Sequence, residues 1–238
     1  MKGNREAGLV SVVVTNYNRA DYLLECLDSI LAQTYRKWEL IFIDDASTDD
    51  SVAIVNEWLR RHQASLTEGQ NQVILHVLPR NIGFAGAINV GFYLARGEYI
   101  AVQDSDDYSH VRRLERQVAF LQENPQIELV GTNYYAFPSE TPTKRELSTW
   151  IKYGSDIRKV YGNGGHCVCH GTILFRARLF DQIGGPTRRI EGAEDYEFIA
   201  KSLNARANIE NLPEALYYYR QHENQRSTKY YRRKEEKK

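Results

Sequence analysis

The first half of the chain alternates apolar runs of strand length with stretches of helical periodicity. Residues 9–14, 38–43 and 73–78 are rich in Val, Ile, Leu and Phe. Between the first two runs, apolar residues such as Leu23 and Leu27 recur at the spacing of one helix face. Strands that are apolar on both faces and separated by helices are typical of a parallel sheet covered on both sides. The sequence therefore predicts an α/β fold with a mostly parallel, Rossmann-like sheet flanked by helices.

Polar loops follow the predicted strands at corresponding positions. Residues 15–19 follow the first strand, residues 44–47 follow the second, and residues 104–107 follow a strand over residues 99–103. The carboxyl ends of parallel strands meet at one edge of a sheet, which is where such sheets bind ligands. We therefore expect these loops to form a common site.

The loop after the fourth strand carries three carboxylates within four positions. Asp104 and Asp106 fall on the same side of an extended chain because side chains alternate along a strand, and Asp107 follows directly. Carboxylate oxygens suit Mg²⁺ or Mn²⁺, and Mg²⁺ commonly takes one or two carboxylates together with substrate phosphates. The alternative is an acidic turn in which Asp104 or Ser105 caps the next helix.

Two further polar residues have the spacing of helix caps. Asp21 precedes the first helical stretch, and Ser47 with Asp50 three residues later resembles a capping box. We therefore expect Asp21 to cap the first helix and Ser47 to cap the second.

Beyond about residue 125 the regular alternation is lost. The pattern predicts a strand at 127–130, a helix over 150–160, a helix starting near Glu194 and a last strand at 215–220. No composition shift marks a linker. A single domain is therefore expected over residues 8–222, with one half at 8–110 and the other at 111–222.

The composition excludes several classes of protein. The 238 residues include 31 basic and 31 acidic side chains, so no overall charge favours nucleic acid. Three cysteines fit a reducing compartment, no apolar run reaches the ~20 residues of a membrane span, and the polar start shows no secretory signal. A cytoplasmic protein is expected. The basic tail at 223–238 is typical of a solvated terminus, with weak contact to the inner face of a membrane as the alternative.

A short segment of alternating histidine and cysteine suggests a zinc site at first sight. It reads His166-Cys167-Val168-Cys169-His170. Its potential ligands are spaced too tightly for the usual structural zinc sites, whose ligand pairs come from two segments. We therefore expect this segment to be a strand or loop and not a zinc site.

Six short motifs occur in an order that resembles a known family. They lie at residues 10–18, 43–49, 81–83, 97–100, 104–107 and 194–196. Together they resemble the inverting, metal-dependent glycosyltransferases of family 2, which have the GT-A fold, and the resemblance covers about residues 8–222. It implies transfer of a sugar from a nucleotide diphosphate sugar, with UDP as the favoured nucleotide, in synthesis of cell-surface polysaccharide or glycoconjugates.

The resemblance implies that residues 8–110 form a nucleotide-sugar half, with a donor site at the strand ends. It implies an acceptor half at 111–222, whose site residues 166–170 are expected to line. Thr15, Tyr17 and Asp45 match residues that hold the nucleotide base, Tyr17 by stacking and Asp45 through the edge of the base.

One position departs from the family pattern, because Ile88 stands where relatives commonly carry an Arg before the Asn of the third helix. The possible replacements are Arg80, Arg220 or the metal alone, and the group that binds the diphosphate is left unassigned.

The resemblance also implies the metal and the base. Asp104 and Asp106 belong to the DXD region that binds the ribose or diphosphate, and Asp106, Asp107 and His222 are the expected ligands of Mn²⁺ or Mg²⁺. Asp195 matches the catalytic base. An acceptor hydroxyl needs such a base within hydrogen-bond reach, whereas the alternative for Asp195 is an acidic residue that suits a helix N-terminus.

The expected acceptor is the hydroxyl of a carbohydrate, of a lipid-linked molecule or of another compound. Two alternatives to a glycosyltransferase stay open from sequence. A sugar nucleotidyltransferase would carry a glycine-rich and basic loop after the first strand, which residues 15–19 do not provide. A non-catalytic protein that only binds a nucleotide sugar is disfavoured by Asp195 together with an intact acidic cluster.

Overall fold

A single nine-stranded sheet runs through residues 5–187 and 192–226, the part of the chain that the computed structural model describes. The strands are β1 (Glu6–Asn16), β2 (Trp38–Asp44), β3 (Gln72–Val77), β4 (Gly97–Asp104), β5 (Tyr108–Ser109), β6 (Leu129–Pro138), β7 (Glu146–Leu147), β8 (Leu174–Arg176) and β9 (Ile209–Gln221). The helices are α1 (Leu23–Leu31), α2 (Ser51–Glu68), α3 (Phe84–Leu94), α4 (Arg113–Glu123), α5 (Ser155–Gly162), α6 (Ala177–Ile183) and α7 (Glu194–Asn204).

The strand order is β3-β2-β1-β4-β8-β6-β9-β5, with β7 paired to β6. The strands β3, β2, β1 and β4 are parallel to their neighbours, as the alternation of strands and helices predicts. Beyond β4 the sheet is mixed, because β8 runs antiparallel to both β4 and β6 while β9 is parallel to β6. The predicted α/β fold is confirmed, and its parallel part is the first half of the chain.

Helices cover both faces of the sheet. The buried side chains of β1 alternate between two apolar clusters: Val13 packs with α3, α6 and α7, whereas Val12 and Val14 pack with α1, α2 and α4. This alternation follows from the period of two along a strand. Burial on both faces explains why β1 and β2 are almost continuously apolar.

The strand ends meet at one edge, as the sequence predicts. Asn16 at the end of β1 pairs in register with Asp44 at the end of β2. On the other side of β1, Thr15 pairs with Asp104 at the end of β4. The loops that follow these strands are therefore neighbours.

Both predicted helix caps are wrong. Asp21 lies within a 3-10 turn, Ala20–Tyr22, and α1 starts after Tyr22 without a side-chain cap. Ser47 lies outside α2, and its hydroxyl instead accepts hydrogen bonds from the Asn18 backbone N–H (2.9 Å) and from the side-chain amide of Asn16 (3.1 Å). The end of β1 and the loop after it thus provide the hydrogen-bond donors for Ser47, and its hydroxyl does not cap α2.

The second half differs more from expectation. The predicted helix over 150–160 begins only at Ser155, as α5. The strand predicted at 127–130 runs from Leu129 to Pro138, and the last strand begins at Ile209 instead of 215. Pro213 lies inside β9, near the point where its register with β6 shifts, so the usual strand pattern is interrupted there.

Within the described ranges, no helix combines the length and the apolar content that a bilayer crossing requires. Residues 227–238 of the basic tail lie outside the described residues, so its expected solvation or membrane contact stays a prediction.

Candidate functional site

The acidic loop after β4 holds its three carboxylates in different surroundings. Asp106 Oδ2 lies 3.2 Å from Arg19 Nε and 3.1 Å from His222 Nε2. Asp107 is buried, and its Oδ1 accepts the backbone N–H of Arg220 in β9 (2.7 Å), while its Oδ2 has no hydrogen-bond partner. One carboxylate thus faces the loop after β1, and another faces β9.

The charges of this loop are incompletely balanced. Burial raises the pKa of Asp104 to about 7, and the charge of Asp106 adds to the rise while Arg113 opposes it. Burial likewise raises the pKa of Asp107. Burial would also raise the pKa of Asp106, but the hydrogen bond with His222 and the charge of Arg19 outweigh it and lower that pKa. The loop therefore favours a further positive charge next to Asp104.

A buried arginine holds this loop from below. The Arg113 guanidinium donates to Gln103 Oε1 (3.1 Å), Ser109 Oγ (3.0 Å) and the carbonyl oxygen of Val102 (2.8 Å). These partners lie on both sides of the acidic residues. Arg113 therefore fixes where the loop leaves β4 and where it enters β5.

The residues present fit a divalent cation that is completed by a ligand. Asp106 and His222 face each other with one carboxylate oxygen and one imidazole nitrogen, and carboxylate oxygens suit Mn²⁺ and Mg²⁺. Asp107 Oδ2, in the same loop, is a buried oxygen without a hydrogen-bond partner. Within residues 5–187 and 192–226, no three His, Cys, Asp or Glu side chains could hold an ion by themselves. The expected set of Asp106, Asp107 and His222 is therefore not assembled, because the bonded oxygen of Asp107 faces β9. The metal role of Asp107 stays a prediction.

The residues expected to hold the nucleotide lie at the same edge. Tyr17 follows β1 with 45% of its surface exposed, as a stacking residue requires. Asp45 is buried, and its two oxygens accept the backbone N–H groups of Ile82 (2.7 Å) and Gly83 (2.9 Å) before α3. Asp45 therefore links the loop after β2 to the start of α3, and its contact with a base stays a prediction.

Ile88 is fully buried in the apolar cluster beneath α3. The family position of the missing arginine is thus part of the core in this chain. Arg220, one of the possible replacements, is also buried, and it contacts Glu25 and the backbone oxygen of Asp106. Arg80, the other, is exposed.

Asp195 lies in the first turn of α7, where its carboxylate is fixed at both oxygens. Oδ1 accepts the backbone N–H of Tyr196 (2.7 Å), and Oδ2 lies 3.5 Å from His166 Nε2. Partial burial would raise the pKa of Asp195, but the hydrogen bond and charge of His166 outweigh it and lower that pKa to about 2. Asp195 is therefore ionised at neutral pH.

Asp195 and the acidic loop belong to one site. The charge of Asp195 contributes to the raised pKa of Asp104, and the charge of Arg226 opposes it. Gly171, in the 3-10 turn His170–Thr172, lies between β4 and β9, where an added Cβ would be 2.5 Å from Asp104 Oδ2 and 2.7 Å from Tyr217 Oη. Close backbone approach at Gly171 thus allows the second half of the chain to reach the acidic loop.

Gly171→Ala is expected to lower the free energy of unfolding by about 1–3 kcal/mol, because the new methyl group would overlap Asp104 and Tyr217. Gly162→Ala is the matched control, since an added Cβ there meets no atom within 4 Å. Urea unfolding of both variants at neutral pH measures the effect. Equal stability of the two variants would show that the turn can move away from Asp104.

A family model identifies the chain. The model described as Glycosyl transferase family 2 matches residues 11–184, which include the strand-end loops and the acidic loop. The chain belongs to glycosyltransferase family 2. EpsE of Bacillus subtilis strain 168, a protein provisionally named a glycosyltransferase, is 34% identical over 214 residues, which are 89% of this chain and 73% of EpsE.

Solved structures of similar fold support the GT-A architecture of this family 2 glycosyltransferase. TarS 1–349 of S. aureus in complex with UDP-GlcNAc has a TM-score of 0.72 at 24% identity, covering 92% of this chain and 60% of that chain. The mannosyltransferase PcManGT from Pyrobaculum calidifontis in complex with GDP-Man and Mn²⁺ has a TM-score of 0.67 at 22% identity, covering 88% and 56%. This chain thus spans less than two thirds of either solved chain.

Sequence reasoning missed three side chains of this glycosyltransferase site, which are Arg19 beside Asp106, Arg113 beneath the loop and Arg226 beside Glu194. It included His166 as part of a lining segment but did not predict its contact with Asp195. The ion-pair partners of Arg19 and Arg226 are distant in sequence, whereas Arg113 donates mainly to residues that precede it closely in sequence. Only the position of Arg19, directly after the polar loop of β1, could have indicated a role at the strand ends.

The segment at 166–170 is a loop that ends in the 3-10 turn, and it contributes to the site as expected of a lining loop. His166 faces Asp195, whereas His170 is buried with its ring edge-on to Phe84 and Phe198, at centroid distances of 5.6 and 6.4 Å. Nε2 of His170 has no hydrogen-bond partner. The two histidines therefore have separate surroundings.

His170 is expected to make stability depend on pH. Burial lowers its pKa to about 4, although Asp195 acts in the opposite direction, whereas the ordinary value is 6.5. Between pH 6.5 and 4 the unfolded chain binds a proton that the folded chain does not, so the free energy of unfolding falls as the pH falls. We expect wild type to lose about 3 kcal/mol more than His170→Gln between pH 7 and pH 4. Denaturant unfolding across this range measures the difference, and parallel curves would contradict a neutral buried imidazole.

Proposed function

We propose that this chain transfers a sugar from a nucleoside diphosphate to an acceptor hydroxyl with inversion, and that Asp195 is the base. The observation that carries the proposal is the convergence of Asp195 with the carboxylates of the acidic loop, where the charge of Asp195 acts on Asp104. A donor-binding loop and a separate ionised carboxylate in one site are what a single displacement requires.

The donor nucleotide is proposed to lie across the ends of β1, β2 and β4. Exposed Tyr17 would stack on the base, with Thr15 and Asp45 at its edge, and Asp104 would bind the ribose. Thr15 and Asp104 are neighbours in register, which supports a continuous site from base to ribose. The proposed nucleotide is UDP, the nucleotide of the sugar bound in TarS, and the GDP-Man complex of PcManGT makes GDP the alternative.

The diphosphate is proposed to lie between Arg19 and Arg226. Arg19 is bonded to Asp106, and the charge of Arg226 acts on Asp104, which supports a position of both arginines near the acidic loop. Asp106 and His222 would hold Mn²⁺ or Mg²⁺, which when bound supplies positive charge to the leaving diphosphate. These groups would replace the arginine that the family pattern has at Ile88.

The proposed reaction is a single displacement. Asp195 Oδ2 accepts the proton of the acceptor hydroxyl as the hydroxyl oxygen bonds to the anomeric carbon of the sugar. The bond from that carbon to the diphosphate oxygen breaks on the opposite face, and the electron pair leaves with the diphosphate. The acceptor is proposed to be a carbohydrate or lipid-linked hydroxyl in polysaccharide or glycoconjugate synthesis, at the cytoplasmic side.

A panel of UDP-, GDP- and dTDP-sugars tests this proposal. The chain is incubated with each sugar in MnCl₂ or in EDTA, while the melting temperature and the release of nucleoside diphosphate are measured, because a bound ligand raises the melting temperature by mass action. We expect a shift and slow release with a UDP-sugar in Mn²⁺. A shift without release or transfer to any acceptor would favour the non-catalytic alternative, and no shift with any sugar would contradict the proposed donor site.

A further inference from the structure

His166 is held by three side chains although it lies in a loop after a glycine-rich turn. The Tyr161 hydroxyl oxygen is 2.6 Å from Nδ1, and the Trp150 ring stacks on the imidazole with centroids 5.1 Å apart and planes at 29°. At the far side of the ring, Nε2 lies 3.5 Å from Asp195 Oδ2. This last distance is long for a hydrogen bond, as such contacts commonly are in the absence of substrate. The three contacts fix the direction of the ring toward Asp195.

The residues around His166 are themselves fixed. Trp150 donates its indole N–H to the hydroxyl oxygen of Tyr134 (2.7 Å). Tyr161 stacks on Tyr196 with centroids 5.3 Å apart and planes at 24°. Tyr196 also donates its backbone N–H to Asp195 Oδ1, so the same aromatic cluster contacts both His166 and the carboxylate.

The contacts also select the tautomer of His166. Burial raises the pKa of Tyr161, so its hydroxyl stays protonated and can donate to Nδ1. A carboxylate can only accept, so the nitrogen that faces Asp195 must carry the hydrogen. Nδ1 is therefore the acceptor in the neutral ring, and Nε2–H is directed at Asp195.

We propose that His166 is a positioning residue that directs the carboxylate of Asp195 toward the acceptor hydroxyl through Nε2–H. This inference rests on the proposed role of Asp195 as the base. With Oδ1 on the Tyr196 N–H and Oδ2 on His166, the carboxylate cannot rotate freely, while Oδ2 retains a lone pair for the acceptor proton. A fixed base loses less entropy at the transition state.

The positioning role should appear in kcat and not in donor KM, because His166 contacts the proposed base and not the proposed donor site. The other ionisable side chains that face His166 are Tyr196 on α7, Tyr161 on α5 and His170 in the 3-10 turn. A side chain that only supported the fold would lower stability without separating kcat from donor KM.

The test compares His166→Ala with His166→Gln in the whole chain, using the UDP-sugar and acceptor for which transfer is found. Gln places an amide N–H near the position of Nε2. We expect His166→Ala to lower kcat by about 10–100-fold with donor KM unchanged, the range typical when a partner that orients a functional side chain is removed. His166→Gln should restore most of kcat, because its amide can donate to Asp195 in place of Nε2–H.

The matched controls are His62→Ala and His62→Gln on α2, because His62 also packs on a tryptophan, Trp58, at a centroid distance of 4.8 Å. They should leave kcat unchanged. If His166→Ala fails to fold, Tyr161→Phe, which removes only the hydroxyl that contacts Nδ1, should lower kcat with donor KM unchanged. Wild-type kcat in folded His166→Ala, or a kcat for His166→Gln no higher than that of His166→Ala, would overturn the proposal.

Asp195→Asn, measured in parallel, separates this inference from the proposed function. If Asp195→Asn retains activity, the proposed base is wrong. If Asp195→Asn is inactive while both His166 variants keep wild-type kcat, only the positioning role fails. When both roles hold, adding His166→Ala to Asp195→Asn causes no further loss, because the two residues act as one unit.

Discussion

Asp195→Asn lowers kcat for sugar transfer by about 10²–10⁴-fold and leaves the donor dissociation constant near wild type. The amide keeps the size of the side chain and can still accept the Tyr196 N–H, but it cannot take the acceptor proton at neutral pH. Transfer to an acceptor should suffer more than hydrolysis of the donor, because water can lose its proton to solvent after attack. Steady-state transfer kinetics and calorimetry with the donor measure the two quantities.

The capping alternative for Asp195 predicts a different result. Asn supports a helix N-terminus nearly as well as Asp. A capping role therefore predicts that the free energy of unfolding falls by about 1 kcal/mol or less and that kcat for transfer changes little. Glu197→Gln is the matched control, since this carboxylate on the same helix contacts Thr187 and not His166. A transfer rate for Asp195→Asn within about threefold of wild type, on folded protein, would remove Asp195 from the proposed mechanism.

The first half of the fold could be predicted because its signals are local. Continuous apolar runs specify strands buried on both faces, and parallel pairing then places their polar ends together. The register of Thr15 beside Asp104 and of Asn16 beside Asp44 is the direct consequence. The common edge at which these polar loops meet therefore followed from periodicity, whereas the role of that edge as a donor site was implied only by the family resemblance.

The other side of the site could not be predicted in the same way. β9 contains Pro213 and changes register with β6, so its first six residues lack a strand signal. The contact of His166 with Asp195 joins a loop to the first turn of α7, at positions distant in sequence. The close approach of the 3-10 turn to the acidic loop depends on the absence of a side chain at Gly171. Such contacts depend on tertiary packing, which a window of sequence does not contain.

The predictions of the two helix caps were wrong for a related reason. A serine before a helix has several possible donors, and Ser47 uses the loop after β1 instead of the first turn of α2. The propensity of Ser for caps is a competition among hydrogen-bond partners. In this chain a neighbouring strand end provides the better partners, and the same contacts bring the first two loops of the site together.

Asp106→Asn should abolish the Mn²⁺-dependent part of donor binding and lower turnover by at least about 10²-fold, because a divalent ion contributes several kcal/mol to stabilising the leaving diphosphate. The fold should persist, since the amide oxygen can still accept from Arg19 and His222. Removing the charge of Asp106 also removes one cause of the raised pKa of Asp104. The free energy of unfolding of the ligand-free protein should therefore depend less on pH. Donor titrations with Mn²⁺ or with EDTA measure the change.

Asp181→Asn is the matched control for Asp106→Asn, because Asp181 is also paired with an arginine, Arg5, but lies beside the start of β1, at the opposite edge of the sheet. Asp181→Asn should leave the Mn²⁺ response of donor binding intact.

Asp107→Asn tests whether Asp107 is also a metal ligand. Its amide oxygen can still accept the Arg220 N–H, so a lost Mn²⁺ response in this variant would indicate a lost metal ligand. Wild-type turnover by Asp106→Asn at limiting Mn²⁺ would exclude Asp106 as the ligand, whatever Asp107→Asn does.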